Sequence, residues 1–519
     1  MNDETTRNET KQVTRNIRPS VCALSCHFVD RFLRRLITSI AVLICLPALI
    51  LADALLPPDS SLSAPARPKY NVLFIISDDL RPELGCYGNK IIKTPNIDSL
   101  AARGTRFDHA YAQFPLCNPS RSSLLNGRYP TQTGVMDNNT YFRVAHPDYV
   151  SLPQYFKTEG YATLRVGKVF HGGIDDMVSW TEGGEPVDPA ITNRPPSRIA
   201  TGAEPDTSDA DAGPPSPTPS SRRGSDSDRI VVLPGNGESH GDHKAATRAI
   251  EYLERYKDKP FFLAVGFGKP HSPPTAPKKF FDLYDLEKIP LPPDFATRPA
   301  APPGFPVISV PRRNADLFIG REASPAEARE MIRAYYASVS FVDEQVGRVL
   351  DALDRLHLRE STIIVFWGDH GYHLGEKGEW SKAYSLFDVG LRVPLIISLP
   401  GAKAKVSERP VQLLDMYPTL AELCGLPQPQ DNEGHSLVSL LRNPAAKWSY
   451  PAYAVTLFQG KLGKSVRTEH WHYVEWDEGR AGAMLFDHGR DPLELENLAN
   501  DSAFAKTVEE MKALLKQLP

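Results

Sequence analysis

Four short runs of β-branched and aromatic residues limit what this 519-residue chain can fold into more than any other feature. They occupy residues 70–76, 261–265, 362–366 and 394–398. The first run is typical of a central parallel strand that is buried on both faces. Stretches with helical spacing, such as 243–256 and 323–356, alternate with these runs. This alternation predicts an α/β fold with a large mixed sheet sandwiched by helices.

The chain is too long for one small hydrophobic core, and its pattern changes near residue 445. Short alternating segments follow, and the last segment is an amphipathic helix near 504–518. We therefore predict a large domain over 69–445 that carries the chemistry and a smaller C-terminal α+β subdomain over 446–519. Residues 193–228 are rich in Pro, Ser, Asp, Gly and Thr. That composition predicts a flexible insertion within the large domain.

The N-terminal residues 1–54 have the pattern of an extension that ends in a signal peptide. Arg34 and Arg35 precede an apolar run over 36–51, and Ala52-Asp53-Ala54 matches an A-x-A cleavage site. An uncleaved membrane anchor is the alternative, but the run is short for a bilayer and contains Pro47. We predict cleavage, no stable membrane span afterwards, a tether over 55–68, and export to the periplasm or the cell exterior.

Charge and cysteine content exclude two classes of protein. The formal net charge of −4 gives no excess of Lys and Arg for phosphate neutralisation, so a nucleic-acid partner is not expected. An anionic substrate therefore needs a locally positive pocket. Of the six cysteines, only Cys86, Cys117 and Cys424 remain after cleavage, which is too few for a disulfide framework.

Cys117 lies in the segment C-N-P-S-R, which is followed by G-R at 127–128. A buried structural cysteine is the usual fate of a free thiol. A second interpretation is a thiolate nucleophile, since a helix N-terminus and Arg121 both favour the charged form. The complete motif resembles a family signature, and that resemblance favours a functional cysteine over a structural one.

Acidic residues follow two of the predicted strands. Asp78 and Asp79 end the first run, and Asp369 and His370 follow the third in the segment W-G-D-H-G. Ligand sites in α/β sheets gather at the carboxyl ends of strands. Adjacent carboxylates repel one another unless a cation neutralises them. The oxygen-rich set suits calcium or magnesium better than zinc, and the histidine leaves the choice of metal open.

Taken together, these motifs resemble those of the formylglycine-dependent sulfatases in the alkaline phosphatase superfamily. The segments D-L-R-P at 79–82, G-K-V-F-H at 167–171 and K-P-H at 269–271 are similar to those of the iduronate-2-sulfatase group, and W-S-K at 380–382 supplies a further lysine. The match runs from about residue 70 to the end. It implies a sulfatase-like fold and a sulfuric ester hydrolase acting on a sulfated saccharide. It also implies a partner, a formylglycine-generating or sulfatase-maturating enzyme, which oxidises Cys117 to formylglycine.

The resemblance also implies roles for individual residues. Calcium is expected to be bound by Asp78, Asp79, Asp369, His370 and an oxygen of residue 117. Lys168 and Lys382 are expected to bind sulfate oxygens, and His271 to contact the leaving-group oxygen. His171 is expected to fix or deprotonate the hydrated formylglycine, and Arg121 to bind its hydroxyl.

Two departures from the family pattern affect these expectations. Asn126 stands where threonine is common before Gly-Arg, a position that bears on recognition by the modifying enzyme more than on catalysis. The insertion over 193–228 differs in character and leaves the substrate open. Three alternatives remain: a phosphate or phosphonate monoester hydrolase, an inactive module that binds sulfated glycan, and a surface-anchored structural protein. Lys269, Arg128, Cys86 and His373 fit either a structural role or substrate contact.

Overall fold

The computed structural model describes residues 70–192 and 228–518. The predicted signal peptide, the tether and nearly all of the predicted insertion lie outside the described residues. Within the described ranges, no helix combines the length and the apolar character needed to cross a bilayer.

Two sheets and a two-stranded pair contain the β-strands of the described residues. The strands are β1 Asn71–Asp78, β2 Thr105–Tyr111, β3 Ala162–Gly167, β4 Val231–Leu233, β5 Phe261–Pro270, β6 Thr275–Pro277, β7 Thr362–Gly368, β8 Arg392–Ser398, β9 Lys405–Ser407, β10 Val411–Gln412, β11 Ala452–Phe458, β12 Lys461–Arg467, β13 Trp471–Trp476 and β14 Gly482–Asp487.

The large sheet has eight strands in the order β10-β2-β8-β7-β1-β5-β3, with β9 paired to β2 outside this path. β1 lies at its centre and is parallel to both β5 and β7. β8 runs antiparallel to β7 and to β2, so the sheet is mixed, as the sequence predicts. Every residue of β1 is buried, because helices cover both faces.

The described residues form thirteen α-helices and several short 3₁₀ turns. The α-helices are α1 Pro95–Ala101, α2 Cys117–Asn126, α3 Pro130–Thr133, α4 Phe142–Ala145, α5 Leu152–Thr158, α6 Pro189–Thr192, α7 Gly241–Tyr256, α8 Lys278–Phe281, α9 Pro325–Arg355, α10 Asp388–Leu391, α11 Met416–Leu423, α12 Val438–Arg442 and α13 Ala505–Leu515.

Alternate residues of β1 enter two separate hydrophobic cores. Leu73 and Ile75 pack with α7 and α9 on one face of the sheet. Val72, Phe74 and Ile76 pack with α2, α5 and α11 on the other face. This period-2 division of one strand between two helical layers produces the sandwich.

Local signals explain the ends of the helices that frame the sheet. α9 begins at a capping box in which the Ser324 and Glu327 side chains bind each other's backbone N–H, with Pro325 as the first helical residue. α2 ends at Gly127, whose φ of 62° lies in the left-handed region that favours glycine.

The C-terminal region forms a four-stranded antiparallel sheet in the order β11-β12-β13-β14. One face packs against α13, through Val508 and Met511. The other face packs against Phe387 and Leu391, at α10. A smaller antiparallel sheet with a terminal helix is the α+β character that the sequence predicts; the domain boundary at 445 stays a prediction.

Several strands differ from the sequence-based expectation. β5 continues to Pro270, so the G-K-P segment that we expected after the strand forms its end. β2 was not predicted, because Arg106, Asp108 and His109 interrupt its apolar pattern. β12 was not predicted either, since Lys461, Gly463 and Lys464 stand where β-branched or aromatic residues are usual in a strand.

Replacing Phe74 with alanine tests the central position of β1. Its buried ring packs 5.6 Å from the Phe262 ring and 5.3 Å from the Trp367 ring. We expect Phe74→Ala to lower the free energy of unfolding by about 3–5 kcal/mol, through lost burial and the cavity that remains. Urea titration measures this. The exposed Val232→Ala is the control and should change stability by less than about 0.5 kcal/mol.

Candidate active site at the carboxyl ends of the central strands

The parallel pairing of β1 and β7 places four of the predicted site residues together. Asp78 is the last residue of β1, and Asp79 follows it with a φ of 60°. Asp369 and His370 follow the last residue of β7. The Asp79 N–H donates to Asp369 Oδ1 at 3.0 Å, which joins the two strand ends directly.

Cys117 lies beside these carboxylates as the first residue of α2. Its Sγ is 3.4 Å from Asp78 Oδ1 and 3.3 Å from His370 Nε2, and the side chain is fully buried. Potential ligand atoms of Asp78, Asp79, Cys117 and His370 all lie within 4.8 Å of one another. The predicted nucleophile and the predicted metal ligands therefore converge.

Arg121 lies one helical turn after Cys117 and binds the carboxylates from the side. Its Nε donates to Asp369 Oδ2 at 2.9 Å and its Nη2 to Asp78 Oδ1 at 3.1 Å. It also donates to the Val169 carbonyl, 3.1 Å away. Among the described residues, no hydrogen bond joins Arg121 to Cys117, so its predicted contact with the nucleophile stays a prediction.

Each of the two predicted sulfate-binding lysines contacts one of the adjacent carboxylates. Lys168 Nζ is 2.6 Å from Asp78 Oδ2, and Lys382 Nζ is 3.1 Å from Asp79 Oδ2. Gly266 permits the approach of the Lys168 loop, because a Cβ at this position would lie 1.9 Å from the Lys168 carbonyl oxygen. The site thus contains two lysine ammonium groups, each paired with a carboxylate.

The two predicted histidines outside the metal group lie on separate loops. His271 Nδ1 is 2.8 Å from the Ser272 carbonyl oxygen. Because a carbonyl only accepts hydrogen bonds, Nδ1 carries a proton and Nε2 is left for substrate or for a second proton. His271 Nε2 is 4.0 Å from Asp79 Oδ2. His171 is half-buried and pairs with Ile174 in a β-bridge on the Lys168 loop; its action on residue 117 stays a prediction.

Burial and neighbouring charges shift the pKa values of Asp78 and Cys117 in opposite directions. Burial alone raises the pKa of Asp78, but Lys168 and Arg121 outweigh it and hold that pKa well below its ordinary value. Burial and the Asp78 carboxylate raise the pKa of the Cys117 thiol well above its ordinary value, against the opposite effect of Lys168. The thiol is therefore protonated at neutral pH, which disfavours the thiolate interpretation.

The residues at the strand ends fit a divalent cation. Asp79 Oδ1 is buried without a hydrogen-bond donor and lies 3.4 Å from His370 Nε2. His370 Nδ1 faces the Gly371 carbonyl oxygen at 2.9 Å, so its proton is fixed there and Nε2 keeps the lone pair that a metal needs. Asp369 lies beside this group with both oxygens accepting hydrogen bonds, so its ligand role stays a prediction.

The four residues for which the sequence left open a structural role or substrate contact each have a partner within the protein. Lys269 Nζ donates to the His271 carbonyl oxygen at 2.6 Å, and His373 Nδ1 lies 3.0 Å from the Ser381 carbonyl oxygen. The Arg128 guanidinium lies 4.4 Å from the centre of the Tyr149 ring. The Cys86 N–H donates to Asp98 Oδ1, on α1.

Sequence reasoning missed Tyr335, which touches the site from α9. Its hydroxyl donates to the Asp79 carbonyl oxygen at 2.7 Å and accepts from the Arg81 N–H at 3.1 Å. The contact joins residues 256 positions apart. No local motif marks this tyrosine, since only the packing of α9 against the β1 loop brings it there.

Comparisons with known proteins agree with this arrangement. The Sulfatase family model matches residues 70–426, and the model of the N-sulphoglucosamine sulphohydrolase C-terminal region matches residues 375–519. Human (Homo sapiens) iduronate 2-sulfatase is 35% identical over an alignment that covers 83% of this chain and 91% of that protein.

Two solved structures share the architecture. A 2-O GAG sulfatase has a TM-score of 0.62 and 26% identity, over 86% of this chain and 91% of that chain. The phosphonate monoester hydrolase of Agrobacterium radiobacter has a TM-score of 0.65 and 22% identity, over 87% of this chain and 96% of that chain. The second similarity shows the fold alone.

Alkylation of unmodified Cys117 tests its protonation state. Because the pKa of the thiol is raised, iodoacetamide should modify Cys117 at pH 7.5 at least about tenfold more slowly than the same cysteine in urea-unfolded protein. Site-resolved mass spectrometry gives both rates, and the native rate should keep increasing with pH up to pH 9. A fast rate that is constant between pH 6 and 8 would support the thiolate interpretation instead.

Proposed function

This chain belongs to the sulfatase family of sulfuric ester hydrolases, and we propose that it removes sulfate from a sulfated saccharide by means of a formylglycine made from Cys117. One observation carries the proposal. Cys117 Sγ lies in a single buried group with Asp78, Asp79 and His370, with lysines on both carboxylates. A structural cysteine requires none of these charged neighbours.

The modification explains why a protonated, buried thiol occupies the centre of a catalytic site. A formylglycine-generating or sulfatase-maturating enzyme would replace the thiol of Cys117 by an aldehyde oxygen. Hydrated formylglycine supplies two hydroxyls on one carbon, one to attack sulfur and one to expel the sulfate and restore the aldehyde. An ordinary serine or cysteine ester has no second hydroxyl for that last step.

We propose calcium as the metal, because the family resemblance implies it and the oxygen-rich donor set suits calcium or magnesium better than zinc. Asp78, Asp79, His370 and an oxygen of residue 117 would bind it, together with the neighbouring Asp369. When bound, the ion supplies positive charge next to the sulfate oxygens.

The remaining residues would position the ester and move protons. Lys168 and Lys382 bind the sulfate oxygens and stabilise the charge that develops on them. His271, whose Nδ1 proton is fixed on the Ser272 carbonyl, donates the Nε2 proton of its charged ring to the departing sugar oxygen. His171 removes the proton from the second hydroxyl of residue 117. Arg121 binds the hydroxyl of the hydrated residue.

The named relatives support a saccharide ester sulfated at the 2-position. The human relative is an iduronate 2-sulfatase, and the structural neighbour at 26% identity is a 2-O GAG sulfatase. We propose the same class of substrate here, and action outside the cytoplasm after removal of the signal peptide. The phosphonate monoester hydrolase shares the fold, so hydrolysis of phosphate or phosphonate esters is the alternative to exclude.

Replacing Cys117 with serine tests the need for two hydroxyls. Cys117→Ser should lose multiple turnover on an aryl sulfate and accumulate a sulfated serine, because one hydroxyl cannot expel the sulfate. Sulfate release and intact-protein mass are measured, with an aryl phosphate assayed in parallel. Cys86→Ser is the matched control and should keep turnover, since Cys86 lies outside the site. Wild-type turnover by Cys117→Ser, or faster hydrolysis of the phosphate, contradicts the proposal.

Calcium binding can be measured without an activity assay, through its effect on the stability of the protein. Protein stripped with a chelator should gain stability on adding Ca²⁺, about 2.7 kcal/mol at a free concentration 100 times the dissociation constant. Asp79→Asn should lose most of the resulting rise in Tm, because Asp79 Oδ1 is a buried carboxylate oxygen in this group without a hydrogen-bond donor. Asp431→Asn, at a side chain that is 79% exposed, should keep it. Equal shifts in both variants would remove Asp79 from the metal site.

A further inference from the structure

Residues 311–318, here called the strap, connect two loops of the candidate active site. The Trp380 N–H donates to Asn314 Oδ1 at 2.9 Å, and Asn314 Nδ2 donates to the Gly378 carbonyl oxygen at 3.3 Å. The Leu317 N–H donates to the Trp380 carbonyl oxygen at 3.1 Å. These contacts fasten the strap to the segment that leads into Lys382.

One side chain of the strap, Asp316, reaches two residues at opposite ends of the site. The Ser272 hydroxyl donates to Asp316 Oδ1. The Tyr372 hydroxyl donates to Asp316 Oδ2 at 2.6 Å. Both partners are donors, so only a carboxylate accepts from the two at once without a rearrangement.

The Ser272 contact fixes the orientation of His271. The Ser272 carbonyl oxygen is the partner of His271 Nδ1, at 2.8 Å. By holding the Ser272 side chain, Asp316 fixes the residue whose carbonyl sets the ring tautomer and the direction of Nε2. Loss of the contact at Ser272 therefore changes the direction in which His271 Nε2, the proton donor, points.

The Tyr372 contact fixes the sulfate end of the site. Lys382 Nζ lies 6.0 Å from the centre of the Tyr372 ring, within reach of a cation–π interaction. The Tyr335 ring is also a neighbour of that ring, with centroids 6.0 Å apart and an interplanar angle of 16°. Tyr335 in turn donates to the Asp79 carbonyl oxygen. The position of the Tyr372 ring thus affects both the lysine and the β1 strand end.

We propose that Asp316 is a positioning residue that couples the proton donor His271 to the sulfate-binding Lys382. The inference rests on the proposed function, because it assigns the two ends of the site to leaving group and sulfate. Asp316 touches none of the reacting atoms. It acts through Ser272 on one side and through Tyr372 on the other.

The test compares two esters in wild type and four variants. A saccharide sulfate needs a proton on its departing alkoxide, whereas 4-nitrocatechol sulfate does not. Ser272→Ala should lower kcat for the saccharide ester about 10-fold or more and leave the aryl ester nearly unchanged. Tyr372→Phe should raise KM for both esters alike. Asp316→Ala should both lower kcat for the saccharide ester and raise KM for both esters. His271→Ala gives the largest drop in kcat for the saccharide ester, since it removes the proton donor itself.

A double-mutant cycle separates coupling from general damage to the fold. Adding Ser272→Ala to Asp316→Ala should cause no further loss, because the contact is already absent. Asp282→Asn, in an exposed ion pair with Lys278, is the control and should behave as wild type. General damage to the fold would instead lower Tm and reduce the hydrolysis rates of both esters by the same factor.

The outcomes distinguish this inference from the proposed function. Wild-type kinetics in Asp316→Ala, a proportional loss on both esters, or a full additional effect of Ser272→Ala in the cycle overturns the coupling role while leaving a working sulfatase. A wild-type protein that hydrolyses neither ester overturns the proposed function and the inference with it. Selective saccharide loss in Ser272→Ala and no additional effect in the cycle support Asp316 as the positioning residue.

Discussion

The burial of two adjacent carboxylates, Asp78 and Asp79, is the constraint on which the rest of the site depends. Both side chains are almost wholly removed from water. Two anions in that position repel each other and lose hydration, so they persist only where cations surround them. Lys168 and Arg121 contact Asp78, and Lys382 contacts Asp79. These ion pairs surround the thiol of Cys117 with charged groups of both signs.

The fold supplies that balance from positions far apart in the chain. Parallel pairing of β1 with β5 and β7 brings their carboxyl ends to one edge of the sheet, where loops carry the charged groups. The N-terminus of α2 places Cys117 against that edge. Because the strands are buried on both faces, their ends are held rigidly, which catalytic alignment requires.

The sequence predicted the central strands and the site motifs for physical reasons that do not extend to the whole chain. Residues 70–76 form a continuous apolar run because helices cover both faces of β1. β2 lies next to the edge strand β10 and contains charged residues, so its sequence lacks the continuous apolar run that identifies the central strands. Asp316 and Tyr335 carry no motif, since their contacts with the site are tertiary and span 44 and 256 residues.

Mass analysis of the peptide that contains residue 117 tests the central claim most directly. The measurement uses protein produced together with a sulfatase-maturating enzyme and shown to release sulfate. The account predicts that the thiol sulfur is lost and that a carbonyl oxygen takes its place. An intact thiol at position 117 in a preparation that turns over sulfate esters repeatedly would contradict it.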